Sequence, residues 1–315
     1  MPPMSQLSGT TPSPLAARIR RLVRDGVYDK PAAWRFSYLL ILPGLFVILT
    51  MLGIPLVYAF VQSLYDVDLL RPGTPFVGLQ NYVDVLSSSA FWSSLRLTAI
   101  FVAGTMTLSF VLGMATSLLL NREIWGFGML RAMVILPFIV SEITVGITWR
   151  WLFAPDLGVI NAVLSLAGGD PVRWLSEPNW AMFSVIIAES WRLTPFAILI
   201  LLAGLQSVDR SYYEAARVDG ANFWHAFRHI TIPNIKPQML ITLIYLSFAC
   251  VNQFAIIFSL TGGGPGQSTE VVALYMYDAA FGNFQFSLGS TLAVLLFIVN
   301  VVLSLTYMRV LRTDD

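Results

Sequence analysis

A small number of ionisable side chains lie inside long apolar stretches of this sequence. Glu189 and Arg192 are three residues apart in the stretch AESWRLTPF, so on a helix they share one face and can pair. Placing an ionisable side chain inside an apolar span costs free energy, so such side chains usually have a function. Two interpretations stay open: the pair lines a polar cavity that a solute enters, or it is a structural ion pair that fixes neighbouring helices or faces a partner subunit.

Four further polar residues belong to the same group of candidates. Glu142 lies near Pro137 in one apolar stretch, and Asn252 and Gln253 lie together in another. Tyr245 precedes Asn252 by about two helical turns. Each of these side chains either lines a solute pathway or makes hydrogen bonds between helices. The pathway candidates are therefore Glu142, Glu189, Arg192, Tyr245, Asn252 and Gln253.

Other kinds of site are poorly supported by the residue types present. His225 and His229 are spaced i, i+4, but no Cys, Asp or Glu stands at a spacing that would complete a metal site. The single cysteine, Cys250, excludes an internal disulfide. In the glycine-rich stretch Gly262–Gly266, Gln267 stands where a phosphate-binding loop needs lysine. We expect no metal and no cofactor on this chain, and a flexible external turn at the glycines.

The composition indicates a polytopic helical membrane protein. Of 315 residues, 56% are hydrophobic and 12% are charged, and the charged fraction is about half that of a soluble domain. Six stretches contain the roughly 20 apolar residues that a membrane-spanning helix needs. The predicted spans are residues 37–63, 95–120, 130–153, 182–205, 237–260 and 286–308, within a transmembrane domain of residues 36–310.

Positive charges predict which ends of these spans face the cytoplasm. Fourteen of the 19 lysines and arginines fall in four places: the N-terminal segment 1–35, the loops after the second and fourth spans, and the C-terminal tail. The positive-inside rule therefore places both the N- and the C-terminus in the cytoplasm.

The N-terminal segment, residues 1–35, is basic and amphipathic. Its apolar and basic side chains fall on different faces of a helix, which suits a helix lying on an anionic inner leaflet. The alternative is a mobile basic tail that only enforces topology. The apolar face comprises Leu15, Ile19, Leu22 and Val23, and the basic residues are Arg18, Arg21 and Arg24.

The cytoplasmic loop between the fourth and fifth spans, residues 207–236, carries the signals of two short helices. Ser207 or Asp209 can cap the first helix, Gly220 can take the left-handed turn that ends it, and Asn222 can cap the second. Prolines are expected to stop the second helix before the next span. Aromatic residues give this elbow an interface-like surface. The prolines are Pro233 and Pro237, and the aromatic residues are Tyr212, Tyr213, Phe223, Trp224 and Phe227.

A spaced motif in the elbow resembles a known family. Glu214-Ala215-Ala216 is followed by Gly220 and, after nine intervening residues, by Ile230-Thr231-Ile232-Pro233. This pattern resembles the EAA loop of ABC importer permeases, which usually has leucine where Ile232 stands. The resemblance implies the all-α type I importer permease fold, with six transmembrane helices and a cytoplasmic coupling helix that docks on an ATPase. The implied coupling residues are Tyr213, Glu214, Ala215, Ala216, Arg217, Asp219, Gly220, Ala221, Phe227, Ile230 and Pro233.

Two more stretches narrow the resemblance to the carbohydrate-uptake branch of these permeases. The segments LTGGGPGQST, Leu260–Thr269, and YMYDAAF, Tyr275–Phe281, are similar to maltose-permease and glycerol-3-phosphate-permease subunits. The resemblance implies a second permease subunit, two ATPase subunits that use ATP and Mg, and an extracytoplasmic solute-binding protein. It also implies a carbohydrate substrate, and a multi-pass location among the lipids of a bacterial or archaeal inner membrane. Nothing indicates nucleic acid as a partner.

The predicted function is import of a di- or oligosaccharide through a pathway that this chain forms with the second permease. One alternative is an importer for glycerol 3-phosphate or a related polar solute. Another is an ion-coupled secondary transporter, although such proteins often consist of repeated halves and no repeat is evident here. A membrane enzyme would need paired carboxylates or a metal site, and Asp66 with Asp68 is the one crude candidate.

Overall fold

The computed structural model describes residues 30–121 and 127–312. These residues form helices joined by turns, and the β-structure among them is limited to two isolated bridges. The described residues divide into two compact units, with the boundary between Tyr58 and Ala59. The predicted interfacial helix of the N-terminal segment lies outside the described residues.

Fifteen helices run through the described residues, together with three π-helical turns at Leu49–Gly53, Phe227–Thr231 and Asp278–Gly282. In chain order the helices are α1 Lys30–Ile48, α2 Ile54–Gln62, α3 Gln80–Ser87, α4 Ser89–Leu120, α5 Phe127–Ile139, α6 Glu142–Leu152, α7 Val159–Leu166, α8 Pro178–Ser207, α9 Arg210–Val218, α10 Phe223–Ala226, α11 Ile232–Asn234, α12 Lys236–Val251, α13 Ala255–Leu260, α14 Val272–Tyr277 and α15 Phe286–Arg312.

The first unit contains α1, the π-helical turn Leu49–Gly53 and the start of α2. Pro55 follows the π-helical turn. Because proline has no N–H to donate and its ring crowds the carbonyl four residues earlier, a local π-bulge is a common way to keep the helix continuous. The stretch Tyr38–Gln62 is long and apolar enough to cross a membrane.

The second unit is built around α8 packed on α4. The most apolar window of α8 is 61% buried within the chain, against 33% for α4, so α8 is the central helix. Glycines on α4 permit this close approach: a Cβ added at Gly104 would lie 2.7 Å from Ile186 Cδ1, and one at Gly113 would lie 2.6 Å from Ala197 Cβ. Small residues are the usual means by which helices approach closely in membranes.

The predicted span 130–153 is two helices. Ala132–Ile139 of α5 and Glu142–Leu152 of α6 are bent by 100° at the break between them. Pro137 lies inside α5, and Ser141 has the extended ψ of 139°, so the helical hydrogen-bond pattern ends there and starts again at Glu142. The break places Glu142 at the first position of α6.

The predicted span 237–260 is also interrupted, between α12 and α13. The side chain of Gln253 lies in the break, and its Oε1 accepts a hydrogen bond from the N–H of Ala255 at 2.9 Å. This carboxamide oxygen supplies a partner for the first N–H group of α13, which has no partner within its own helix. The two helices beyond the breaks, α6 and α13, then pack on each other. A Cβ added at Gly146 would lie 2.9 Å from Ser259 Cβ.

Within residues 30–121 and 127–312, four helices are long and apolar enough to span a membrane. Up to six spans result if each of two bent helix pairs counts as one. The second bent pair is Phe223–Asn234 with Lys236–Val251, at 72°. The prediction of an all-α polytopic membrane protein is confirmed, and six spans agrees with the upper count.

The two ends of α4 separate the loops into two groups. Ser88, just before α4, lines a cavity of about 300 Å³ together with Asp66 and Gln285 from two loops distant in sequence. Asn121, just after α4, lines a cavity of about 690 Å³ with elbow residues such as Tyr213. A helix of this length spans roughly 48 Å. The loops predicted as external and the elbow predicted as cytoplasmic therefore lie at opposite ends of the second unit.

Candidate functional site

Glu189 and Arg192 form the predicted ion pair on α8. The guanidinium is bidentate, with Nη2 donating to Glu189 Oε1 at 2.6 Å and Nε donating to Oε2 at 3.2 Å. Glu189 is 0% exposed and Arg192 is 7% exposed. Bidentate pairing of this kind satisfies both carboxylate oxygens, which a buried carboxylate requires.

Two further candidates join this pair from the two helix breaks. Glu142 Oε1, at the start of α6, lies 3.2 Å from Arg192 Nη2. Gln253, between α12 and α13, donates from Nε2 to Glu189 Oε1 at 3.2 Å. The four residues Glu142, Glu189, Arg192 and Gln253 are named here the polar cluster. It ties both interrupted spans to the uninterrupted central helix.

Exposure divides the polar cluster into buried and accessible members. Glu189 is 0% exposed and Gln253 is 3% exposed, and both use their side-chain polar atoms on protein partners. In this conformation both side chains therefore contact other parts of the protein through their polar atoms. The side chain of Glu142 is 43% exposed. It is therefore the member of the cluster that the rest of this chain leaves most accessible.

Tyr245 lies beside the cluster within a group of aromatic rings. Its ring stacks on Phe196 with centroids 3.6 Å apart, and Phe138 lies 5.9 Å from Phe196 and 6.4 Å from Tyr245. All three rings are partly exposed. Sequence reasoning missed Phe138 and Phe196, because phenylalanine in an apolar span carries no signal of its own.

Asn252 has a different environment from Tyr245, although the two are about two helical turns apart in sequence. The side-chain amides of Asn252 and Asn300 exchange two hydrogen bonds, at 3.2 and 3.1 Å. This pair joins the end of α12 to α15. The helix-to-helix interpretation thus describes Asn252 in this conformation. Its partner Asn300 lies in a predicted span and was not considered from sequence.

The elbow, residues 207–236, folds as its capping residues predict. Asp209 Oδ1 caps α9 by accepting from the N–H of Ser211 at 2.9 Å, and these hydrogen bonds lower the pKa of the Asp209 carboxyl. Gly220 has a φ of +76° and follows the end of α9. Asn222 Oδ1 then accepts from the N–H of His225 at 2.9 Å and caps α10. All three local predictions are confirmed.

The second helical run of the elbow is longer than the sequence indicated. Pro233 was expected to stop it, but Pro233 lies in the first turn of α11, inside a run from Phe223 to Asn234. A proline is tolerated in a first turn because those N–H groups have no partner within the helix. The chain bends at Ile235, and Pro237 lies in the first turn of α12.

One face of the elbow is exposed and another packs inward. The Tyr213 hydroxyl lies 3.0 Å from Thr231 Oγ1, so the two helical runs are tied to each other. In contrast, Tyr212, Phe223 and Trp224 are 55%, 62% and 72% exposed. The coupling residues implied by the motif are mostly exposed here. They are Glu214, Ala215, Arg217, Asp219, Gly220 and Pro233, with Tyr213, Ala216, Ala221, Phe227 and Ile230 half-buried.

The histidines of the elbow form a local contact. The rings of His225 and His229 stack with centroids 4.2 Å apart, and His229 Nδ1 donates to the His225 carbonyl oxygen at 3.0 Å. Over residues 30–121 and 127–312, no group of three or more His, Cys, Asp or Glu side chains has metal-binding geometry.

The glycine-rich stretch is a hydrogen-bonded turn. Thr269 is 0% exposed, and its Oγ1 lies 2.8 Å from Thr261 Oγ1 and 3.0 Å from the Gly264 carbonyl oxygen. The expected flexible turn is thus anchored by a buried threonine. Beside it, loss of hydration and the Asp278 carboxylate raise the pKa of Glu270.

Asp66 and Asp68 do not make a pair of free carboxylates. Asp68 Oδ2 lies 3.5 Å from Arg71 Nε, and its Oδ1 accepts from the N–H of Leu70 at 2.8 Å. Asp68, one member of the pair considered for a membrane enzyme, therefore stabilises a turn of its own loop.

Comparison with known proteins agrees with this geometry. A family model described as the inner membrane component of binding-protein-dependent transport systems matches residues 109–312, which include the polar cluster and the elbow. The chain belongs to this family. Its members are permeases, so the chain is the membrane component of a transport system and not an enzyme. Membership of this family replaces the alternative interpretation of the chain as an ion-coupled secondary transporter.

Similar proteins cover nearly the whole permease. The trehalose/maltose transport system permease protein MalF of Thermococcus litoralis is 37% identical over 278 residues, 88% of this chain and 94% of the relative. The trehalose transport system permease protein SugA of Mycobacterium tuberculosis is 31% identical over 282 residues, 89% and 90% of the two chains. A solved bacterial ABC transporter involved in import of the acidic polysaccharide alginate shares the fold, with a TM-score of 0.75 at 22% identity over 94% of this chain and 99% of that one.

Proposed function

We propose that this permease carries a di- or oligosaccharide across the inner membrane of a bacterial or archaeal cell. The relatives named for trehalose and maltose support a carbohydrate substrate. The observation that carries the proposal is the half-exposed Glu142 carboxylate, with the partly exposed rings of Tyr245, Phe196 and Phe138 nearby. Carboxylates accept hydrogen bonds from hydroxyl groups, and aromatic faces pack on apolar C–H surfaces. A sugar presents both kinds of surface.

The energy for transport comes from partner subunits in this proposal. Two ATPase subunits use ATP and Mg, and one of them binds the exposed face of this elbow, around Glu214 and Gly220. The exposed aromatic rings of Phe223 and Trp224 support a protein interface there, because aromatic residues are enriched at such contacts. Closing of the ATPase pair would move the elbow and switch the pathway between its inward-facing and outward-facing states.

The pathway itself is completed by other proteins. A second permease subunit forms the other wall, and an extracytoplasmic solute-binding protein delivers the sugar. A structurally similar bacterial alginate ABC transporter, solved in complex with an alginate pentasaccharide-bound periplasmic protein, supports the latter partner. The distribution of arginine and lysine supports cytoplasmic N- and C-termini, with the elbow inside.

Uptake by reconstituted vesicles tests the proposal. The permease is reconstituted with its cognate second permease and ATPase subunits, the binding protein is added outside, and ATP is enclosed. We expect accumulation of radiolabelled trehalose or maltose that requires ATP and is blocked by vanadate. Accumulation that follows an ion gradient without ATP, or no transport of any sugar that the cognate binding protein binds, would contradict the proposed function.

A further inference from the structure

We propose that Glu142 sets the charge selectivity of the solute pathway, so that the permease favours uncharged sugars over carboxylated or phosphorylated ones. This inference rests on the proposed function, because it assumes that a carbohydrate passes the polar cluster. It goes further by assigning the charge class of the substrate to one side chain.

Arg192, the cation of the polar cluster, is already paired with the two carboxylates of the cluster. Arg192 donates to both oxygens of Glu189, and the same Nη2 that contacts Glu189 lies 3.2 Å from Glu142. The guanidinium side chain is only 9% exposed. A phosphate or carboxylate on a solute would have to displace one of these carboxylates before Arg192 could bind it.

The formal charge of the cluster is therefore one negative unit, from two glutamates and one arginine. Among the described residues, the ion-pair partners of Arg192 are Glu189 and Glu142. Neither of these supplies a second positive charge. The surplus charge of the cluster is negative.

The exposed fraction of each glutamate side chain decides which of the two presents the surplus negative charge to a solute. Glu189 is 0% exposed, whereas the Glu142 side chain is 43% exposed at the break between α5 and α6. A solute at this point meets a carboxylate that can accept from its hydroxyl groups. An anionic solute meets a like charge in surroundings that screen less than water, which lowers its affinity by at least about tenfold.

Binding to the assembled transporter in nanodiscs, without the binding protein, tests this inference directly. The two probes are trehalose and the matching disaccharide in which one C6 hydroxymethyl group is oxidised to a carboxylate. We expect the wild type to bind trehalose at least about tenfold more tightly. Glu142→Gln should bring the two affinities within about twofold of each other, by strengthening binding of the acid.

Two further variants serve as controls. Glu142→Asp keeps the charge and should keep the preference for trehalose. Glu177→Gln makes the same chemical change at an exposed glutamate that precedes α8, outside the polar cluster, and should leave the ratio unchanged. Raising the salt concentration on the wild type gives an independent reading, because screening should strengthen binding of the acid and leave trehalose binding unaltered.

Several results would overturn the inference. The first is a wild-type transporter that binds trehalose and the carboxylated disaccharide equally well. The second is an affinity ratio that neither Glu142→Gln nor added salt changes. The third is a wild-type transporter that takes up trehalose in vesicles but binds no sugar in nanodiscs. In each case ATP-dependent uptake would leave the proposed function standing. Absence of that uptake would instead count against the proposed function itself.

Discussion

Arg192 connects three parts of the chain through one guanidinium group. It binds Glu189 on its own helix and Glu142 at the start of α6, while Gln253 reaches the same Glu189 carboxylate from the break before α13. A charge buried in a span is tolerable only when its partners satisfy it, and here they do. The cluster therefore joins three helices, and in the proposed function its exposed member Glu142 is the part that a solute meets.

The two glutamates of the cluster should differ sharply in their effect on stability. Glu189→Ala leaves the largely buried Arg192 with only the half-exposed Glu142, and loss of a buried partner costs about 3–5 kcal/mol. Glu142→Gln removes a partly solvated contact and should cost under about 1 kcal/mol. Thermal unfolding of the purified assembly measures both changes. Equal losses for the two variants would contradict the burial-based ranking.

Sequence spacing was sufficient for some of these contacts and not for others. Glu189 and Arg192 are local partners, because the helix itself brings i and i+3 together. Glu142 and Asn300 reach their partners only through tertiary packing, so no local pattern indicates them. Gln253 was recognised as polar in a span, but its role in capping α13 depends on a break that the apolar pattern conceals.

At the scale of elements, the two interrupted spans meet beyond their breaks. Gly146 of α6 faces α13 so closely that an added Cβ would lie 2.9 Å from Ser259 Cβ and 3.0 Å from the Ile256 carbonyl oxygen. Since each helix is also tied to α8 through the polar cluster, α6 and α13 form one packed pair. We expect them to move together when the pathway opens.

Filling the space at Gly146 should separate this pair. Gly146→Ala forces the added methyl group against Ser259, and overpacking of this kind costs about 1–3 kcal/mol. Ser259→Gly should recover part of that loss when combined with it, although the Ile256 carbonyl oxygen remains close. A double-mutant cycle on thermal unfolding measures the coupling. Simple additivity of the two substitutions would show that the residues do not press on each other.

The turn of the elbow makes a second prediction at this scale. Gly220 has a φ of +76° and donates its N–H to the Arg217 carbonyl oxygen at 3.1 Å. Proline cannot adopt this φ and has no N–H, so Gly220→Pro should abolish ATP-driven uptake while the chain still inserts in the membrane. Gly220→Asn is the control, because asparagine tolerates the left-handed region. Normal uptake by a correctly inserted Gly220→Pro variant would contradict the elbow's role.

The elbow was the most predictable element and the broken spans were the least. Asp209, Gly220 and Asn222 act on backbone groups within four residues of themselves, so their sequence signals suffice. The break after Pro137 and the one at Gln253 replace helical hydrogen bonds in ways that depend on neighbouring helices. Hydropathy counts apolar residues across such breaks and therefore reports one continuous span for each.

At the scale of the whole molecule, one helix links the polar cluster to the elbow. The central helix α8 carries Arg192 in the polar cluster and ends at Ser207, where the elbow begins. The distance along the helix from Arg192 to Ser207 is roughly 22 Å. In the proposed function, movement of the elbow reaches the solute pathway through this packed helix.

The most direct test of this account is whether the elbow is covered by the ATPase. Ala215→Cys is introduced in a Cys250→Ala background, with Asn283→Cys as a matched exposed control at the opposite end of the second unit. The account predicts that the ATPase subunits protect Ala215→Cys, and not Asn283→Cys, from maleimide labelling in the assembled transporter. Equal labelling of Ala215→Cys with and without the ATPase, in every nucleotide state, would contradict it.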